Sequence, residues 1–436
     1  MLFKLRVCFL KTLKNQKGVL TLGNTIDHNY ISPAIYPGNK PEKQLSLLHA
    51  YHSIEECVPK SDILGHNAPW TLAKLREVSG IDFNKIKYND EKVYRMLWDK
   101  TVIYDQLEPE QIEAFEKHFD KQGLNNGLPE FSTDFLGQVC SSIKPTNFDD
   151  VVKINGITHG KGLWLNNSQK DDLEKNNITI EEVFGCRENI FQFLKKGGIE
   201  EIKAFYIVES LRKGKKLKPD ELELVKNCNL NKFVIKNILK INYLFPESHA
   251  ISYSKDMANV ATYKLYYPDA FYPVLLSQYA RDVSDFDYEE VASCETLEQL
   301  KGICKTYTVG QKQDVIIKCK TRLAWLIWEA KLRGYKLKTA TLFSLPKEFS
   351  LSKDDKKTIL MPLTSITGVA EGSAVKIYET IKEKALESYE DLLSRKDDLN
   401  RAIFNKRVLE GLGLYELTRE QIERFNEYLA KHNGQS

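Results

Sequence analysis

Residues 321–335, TRLAWLIWEAKLRGY, place Leu323, Leu326, Ile327 and Ala330 at i, i+3, i+4 and i+7, and Gly334 follows where a helix end calls for a left-handed residue. That is the apolar stripe and stop signal of an α-helix. A second such segment, FPESHAISYSKDMANVATYKLYYP, is introduced near Pro246 and stopped by Pro268, with Tyr253, Met257, Val260 and Lys264 on one face. Helical punctuation of this kind dominates the chain. Strands are expected only near the amino terminus and around residues 335–362, where RGYKLKTATLFSLP alternates until Pro346 ends it. The fold class expected is mainly α.

The 436 residues suffice for roughly two to four domains. With 28% charged and 42% apolar residues the composition is that of a globular protein, and a net charge of +3 is too small to announce nucleic-acid binding, so any basic site must be local. Cys8, Cys57, Cys140, Cys186, Cys228, Cys294, Cys304 and Cys319 contain no C-x-x-C pair and read as reduced core residues. Lys4, Arg6 and Lys11 interrupt the apolar run at the amino terminus. Neither a signal segment nor a membrane span is expected, and a cytoplasmic location follows.

Four stretches bear on chemistry. KINGITHGKGLW, residues 153–164, has the glycines and lysine of a phosphate loop, but Gly156 and Gly160-Lys161 stand one residue too close and Gly162 occupies the hydroxyl position of a Walker motif. A helix-joining turn in which glycine supplies positive φ is the expectation there. SLRKGKKLKP carries Arg212, Lys213, Lys215, Lys216 and Lys218 at the end of an amphipathic run. It reads either as cations favoured at a helix C-terminus or as a phosphate clamp. LTSITGVAEGSAVKIYETI, residues 363–381, has the form of a helix-hairpin-helix, whose backbone N–H groups at Gly368, Gly372 and Ser373 would hold a DNA phosphate without reading sequence; a plain helix connection is the alternative. SDFDYEE contains Asp285 and Asp287, either a metal-bridging pair or an acidic turn.

In collinear order, HSIEECVPKSDILGH, GLPEFSTDF, INGITHGKGLW, GCRENI, VESLRKGK, FPESHAISY, YYPDAFY and SDFD resemble the carboxy-terminal part of a PolC-type, C-family bacterial DNA polymerase III alpha subunit. The resemblance runs from about Asn29 to about Leu414. It implies a remnant of an α/β palm at residues 1–66, helical fingers at 67–288, and a duplex-binding domain with the helix-hairpin-helix and a short β segment at 289–436. It implies template-directed nucleotidyl transfer from dNTPs onto a DNA primer-template with Mg²⁺. It makes Asp62 the third catalytic, metal-binding aspartate of the palm. His159 and Gly160 then line a nucleotide pocket, Arg212 and Lys213 grip the triphosphate, and His249 and Tyr253 lie beside the nascent base pair. Lys215 joins Gly368, Gly372 and Ser373 in DNA contact, and Asp285 and Asp287 fall in a fingers segment with no metal role.

Departures from the family pattern are equally specific. No Asp-Ile-Asp motif precedes Asp62, and one aspartate cannot hold two metal ions in line. Family arginines appear here as Gly137 or Leu136 and as Asn259, and the middle glycine of the hairpin is Ala370. The chain is therefore expected to be a carboxy-terminal piece, inactive alone, whose partners include a separately encoded amino-terminal polymerase fragment and the replisome. The alternative is a non-catalytic module for double-stranded DNA, or a gene relic.

Overall fold

The computed structural model describes residues 18–22, 31–33, 44–46, 60–64, 67–159, 163–164, 169–176, 178–212, 214–241, 243–281, 283, 286–308, 314–339, 348–366, 369, 372, 374–375 and 423. The chain divides into two compact units, Met1–Pro69 and Trp70–Ser436. In the first, strand β1 (Gly18–Leu22) pairs antiparallel with β4 (Lys60–Leu64), and β2 (Ile31–Pro33) pairs antiparallel with β3 (Gln44–Ser46). Asp62 occupies the centre of β4, opposite Leu20.

The second unit begins with helices α1 (Ala68–Ser79), α2 (Glu91–Arg95), α3 (Pro109–His118), α4 (Asp134–Ile143), α5 (Phe148–His159) and α6 (Gln169–Lys175). Then come α7 (Arg187–Lys196), α8 (Glu201–Arg212), α9 (Pro219–Asn227), α10 (Lys232–Ile238), α11 (Glu247–Tyr266) and α12 (Pro268–Ala280). Helices α13 (Tyr288–Ser293), α14 (Leu297–Thr306) and α15 (Asp314–Leu332) complete the helical part. A small sheet follows, in which β7 (Thr358–Leu360) pairs in parallel with β5 (Lys336–Lys338) and antiparallel with β6 (Ser350–Leu351). The mainly helical expectation is met, with strands where the alternation placed them.

Local chemistry accounts for the boundaries. Thr133 accepts a hydrogen bond from the Leu136 N–H to open α4, Thr296 and Gln299 close a reciprocal box on α14, and Gly334 adopts φ +84 after α15. Helix α11 starts just after Pro246 and gives way at Tyr267 to α12, which has Pro268 in its first turn. Asp287 caps α13 through its side chain on the Glu290 N–H, 2.8 Å away, so the acidic stretch has a structural use.

One large core runs from Leu72 to Met361 and includes Tyr94, Phe131, Met257, Phe271, Leu326 and Trp328. It continues without a break past residue 288. A second core, containing Phe184, Ile190, Ile207, Leu211, Val225 and Ile238, is built by α7 to α10. A third and smaller one, Val152, Cys186 and Ala250, lies between α5 and α11, which pack along each other.

Gly156 takes no part in the helix-joining turn expected within residues 153–164, since α5 runs through it to His159. Gly156 is buried inside α5, and the reason is a close crossing: a Cβ on it would stand 2.5 Å from Cys186 Sγ and 2.7 Å from the Gly185 carbonyl carbon. The opposed Gly185 is as tightly held, since its own Cβ would meet the Lys153 carbonyl oxygen at 2.2 Å. The helix therefore accepts the entropic cost of an interior glycine because two backbones touch there. Gly160, Lys161 and Gly162 lie outside the described residues.

Among the described residues Cys140, Cys186, Cys294 and Cys319 are buried, in keeping with their reading as core residues, whereas Cys228 and Cys304 are only partly buried. No described helix is long and apolar enough to cross a membrane.

Candidate functional site

Helices α5 and α11 present their ends to one another, and three residues singled out from sequence meet there. His159, the last residue of α5, stacks on Phe245 with ring centroids 4.7 Å apart and planes 22° from parallel. Tyr253 lies beyond it at 6.3 Å and 18°. His249, one turn before Tyr253 on α11, meets Phe245 edge-on at 5.0 Å and Tyr253 at 4.5 Å. The result is a four-ring aromatic cluster, with His159, His249 and Tyr253 each only partly buried. Such rings offer π-faces on which a planar ligand can stack.

Two features of the cluster were not legible in advance. Phe245 anchors both histidines and is itself fixed by backbone: its carbonyl accepts from the Arg187 N–H at 3.0 Å, at an isolated bridge to Cys186. Glu130 brings a carboxylate oxygen to 3.6 Å from His159 Nε2. Its hydrogen-bonding geometry and that carboxylate's charge raise the His159 pKa above the ordinary histidine value, against the opposing effect of burial. Burial and the nearby His159 lower that of His249. The two histidines are thus driven apart, one toward the imidazolium and one toward the neutral ring.

The basic run gives a different picture. Arg212 closes α8 and makes a two-point contact with Glu209, Nε to Oε1 at 3.0 Å and Nη2 to Oε2 at 2.9 Å, which raises its pKa further. Lys215 is exposed and lines an open cleft of about 930 Å³ with Lys203, Tyr206 and Lys218. Glu209, Asp220, Glu221 and Glu223 line the same cleft, four carboxylates against three lysines. Lys213 lies outside the described residues, as do Gly368 and Ser373; Gly372 is at a helical position.

Asp62 is placed on its strand by backbone pairing. Among the described residues no group of three His, Cys, Asp or Glu side chains is placed to hold a metal ion. Asn259 accepts a hydrogen bond from the Tyr88 hydroxyl at 3.3 Å, and Ser254 is buried.

Residues 69–231 match the family model of the bacterial DNA polymerase III alpha subunit finger domain, a span that contains α5, His159, Glu130 and Arg212. Over 405 residues, 92% of its length, the chain is 29% identical to DNA polymerase III PolC-type of Mycoplasmopsis pulmonis (strain UAB CTIP), of which it covers 27%. It is 30% identical over 402 residues, 91% of its length, to DNA polymerase III PolC-type of Staphylococcus aureus (strain MW2), of which it covers 26%. The chain is similar to DNA polymerase III PolC-type over nearly its whole length. It spans about a quarter of the length of the PolC-type relatives it matches. The finger-domain match ends at residue 231, whereas the likeness to PolC-type DNA polymerase III extends over nearly the whole chain and so takes in α11 with His249 and Tyr253.

Proposed function

We propose that this chain supplies the nucleotide-engaging fingers of a DNA-directed DNA polymerase of the replicative PolC type, working on dNTPs and a DNA primer-template. The observation that carries this reading is the aromatic cluster of His159, Phe245, His249 and Tyr253, assembled from two helices in a chain related throughout to such polymerases. The rings offer stacking surface for a base, and stacking of this kind contributes about 1–3 kcal/mol per base. Gly160 belongs to the same pocket and Lys213 to the same phosphate contact as Arg212. Lys215 and the segment with Gly368, Gly372 and Ser373 hold duplex DNA by its backbone. Asp62 is the palm carboxylate that would contribute to a Mg²⁺ site completed by groups this sequence does not contain.

Arg212 reaches the triphosphate by giving up Glu209. The Arg212–Glu209 pair is partly buried, and a near-surface i, i+3 ion pair contributes about 0.2–1 kcal/mol, whereas a charge-assisted bond to phosphate contributes about 1.5–3 kcal/mol. The exchange is therefore favourable. Arg212→Ala is expected to weaken dATP binding roughly ten- to a hundredfold in calorimetry on a primer-template complex, and Glu209→Gln to strengthen it slightly. Equal dATP affinity in the wild-type and Arg212→Ala chains would assign the arginine to the solvated end of α8 and remove it from the site.

A second reading is favoured by one sequence fact: Asp27, Glu42, Glu55 and Glu56 are the acidic residues before Asp62, and none forms an Asp-x-Asp. On that reading the chain keeps DNA affinity and does no chemistry. Detection of primer-template binding without dATP binding would select it.

A further inference from the structure

Glu130 is the member of the cluster that no motif explains. Its backbone adopts φ +60, in the left-handed region that favours glycine, although the residue carries a long charged side chain. Strained backbone at a ligand site persists where it aims a functional group. Here it aims a carboxylate at His159, Oε2 to Nε2 at 3.6 Å. The other ring nitrogen, Nδ1, lies 2.9 Å from the Asn155 carbonyl oxygen. A carbonyl only accepts, so Nδ1 carries a proton; with a carboxylate facing Nε2, both nitrogens face acceptors and the ring is held as a double donor.

The titratable groups facing this ring are Glu130 from the loop before α4 and His249 and Tyr253 from α11. The charge on His159 works against one on His249, and Asp256 acts on Tyr253. Glu130 is the group that works for it.

We propose that Glu130 is a positioning residue of this site: it holds the His159 ring flat against Phe245 with Nε2 as a donor. The ring, with both nitrogens already facing protein acceptors, then presents a fixed π-surface to the base of a bound deoxynucleotide. This rests on the reading of the cluster as a nucleotide site. A partly exposed carboxylate repels phosphate, so the triphosphate of that nucleotide points away from Glu130.

The test uses the full chain and two variants, Glu130→Gln and Glu130→Gly. The glycine variant removes the carboxylate while relieving the left-handed backbone, so loss of folding cannot stand in for loss of positioning. The His159 ring proton signal is followed by NMR between about pH 5 and 8, assigned with His159→Gln, and dATP binding on a primer-template is measured over the same range. In the wild type His159 should titrate above an ordinary histidine. Since the charged ring is the form Glu130 holds in place, affinity should be full below that midpoint and fall as the pH rises through it. In both variants the His159 midpoint and the fall in affinity should move down together, because the group that raises the midpoint is gone. An unmoved His159 midpoint overturns the proposal, as does dATP affinity that ignores Glu130 while His159 shifts. Absence of dATP binding to the wild-type chain at every pH overturns the nucleotide reading itself, even if His159 responds to Glu130.

Discussion

Glu329→Ala is expected to destabilise the chain by about 3–5 kcal/mol, enough to lower its urea midpoint severely. Glu329 on α15 and Lys264 on α11 are both fully buried, and Nζ stands 2.7 Å from Oε1. The same amine donates to the carbonyls of Leu124 and Asn126, each at 2.7 Å. Glu329 accepts from the Tyr272 hydroxyl at 2.8 Å and from Asn126 Nδ2 at 3.1 Å, and the buried Arg333 donates to the Lys264 carbonyl at 3.1 Å. Burial pulls the Lys264 pKa down to about 8 even with Glu329 beside it. Removing the carboxylate therefore leaves a buried cation with no counter-charge, whose cost exceeds that of a lost surface pair several-fold. Lys264→Met combined with Glu329→Leu should recover part of the loss. Recovery stays incomplete because the Leu124 and Asn126 carbonyls lose their donor. A single-variant loss below about 1 kcal/mol in urea unfolding would contradict this picture. Through Lys264 the network ties α11, which bears His249 and Tyr253, to the loop that leads to Glu130.

The 436-residue chain alone is expected not to extend a primer, giving no detectable product with Mg²⁺ and all four dNTPs. Two-metal transfer needs several carboxylates to fix both ions, and Asp62 is the one palm carboxylate the family resemblance assigns here. Adding a polypeptide that carries the Asp-Ile-Asp palm motif should bring extension from none to full-length product, and Asp62→Ala should abolish it again. Template-dependent extension by the chain alone, lost on Asp62→Ala, would overturn the expectation.

Much of the helical framework was legible because its signals are local. The stripe of α15 with Gly334 after it and the prolines flanking α11 lie within a few residues of what they determine. The meeting of His159, His249 and Tyr253 could be named by resemblance, but its geometry depends on how α5 and α11 pack. The use of Gly156 was not legible, because a backbone crossing with Gly185, 29 positions away in sequence, decides its place. Lys264 was visible as a polar residue on an apolar face, yet its partner Glu329 is too distant in sequence for any periodicity to reveal. Glu130 stood inside a quoted motif, and only its φ of +60 and the position of His159 show what it faces. Phe245 likewise needed the bridge to Cys186 to place its ring.

The most direct measurement is photo-crosslinking of 5-iodo-dUTP to the chain on a primer-template with a templating adenine, with the labelled peptide identified by mass spectrometry. A nucleotide stacked on the cluster should label the segment from Phe245 to Tyr253 or His159, and unlabelled dTTP should compete the label away. Competed label in the cleft between α8 and α9, or no competed label in the chain, would contradict the assignment of these rings to the nucleotide site.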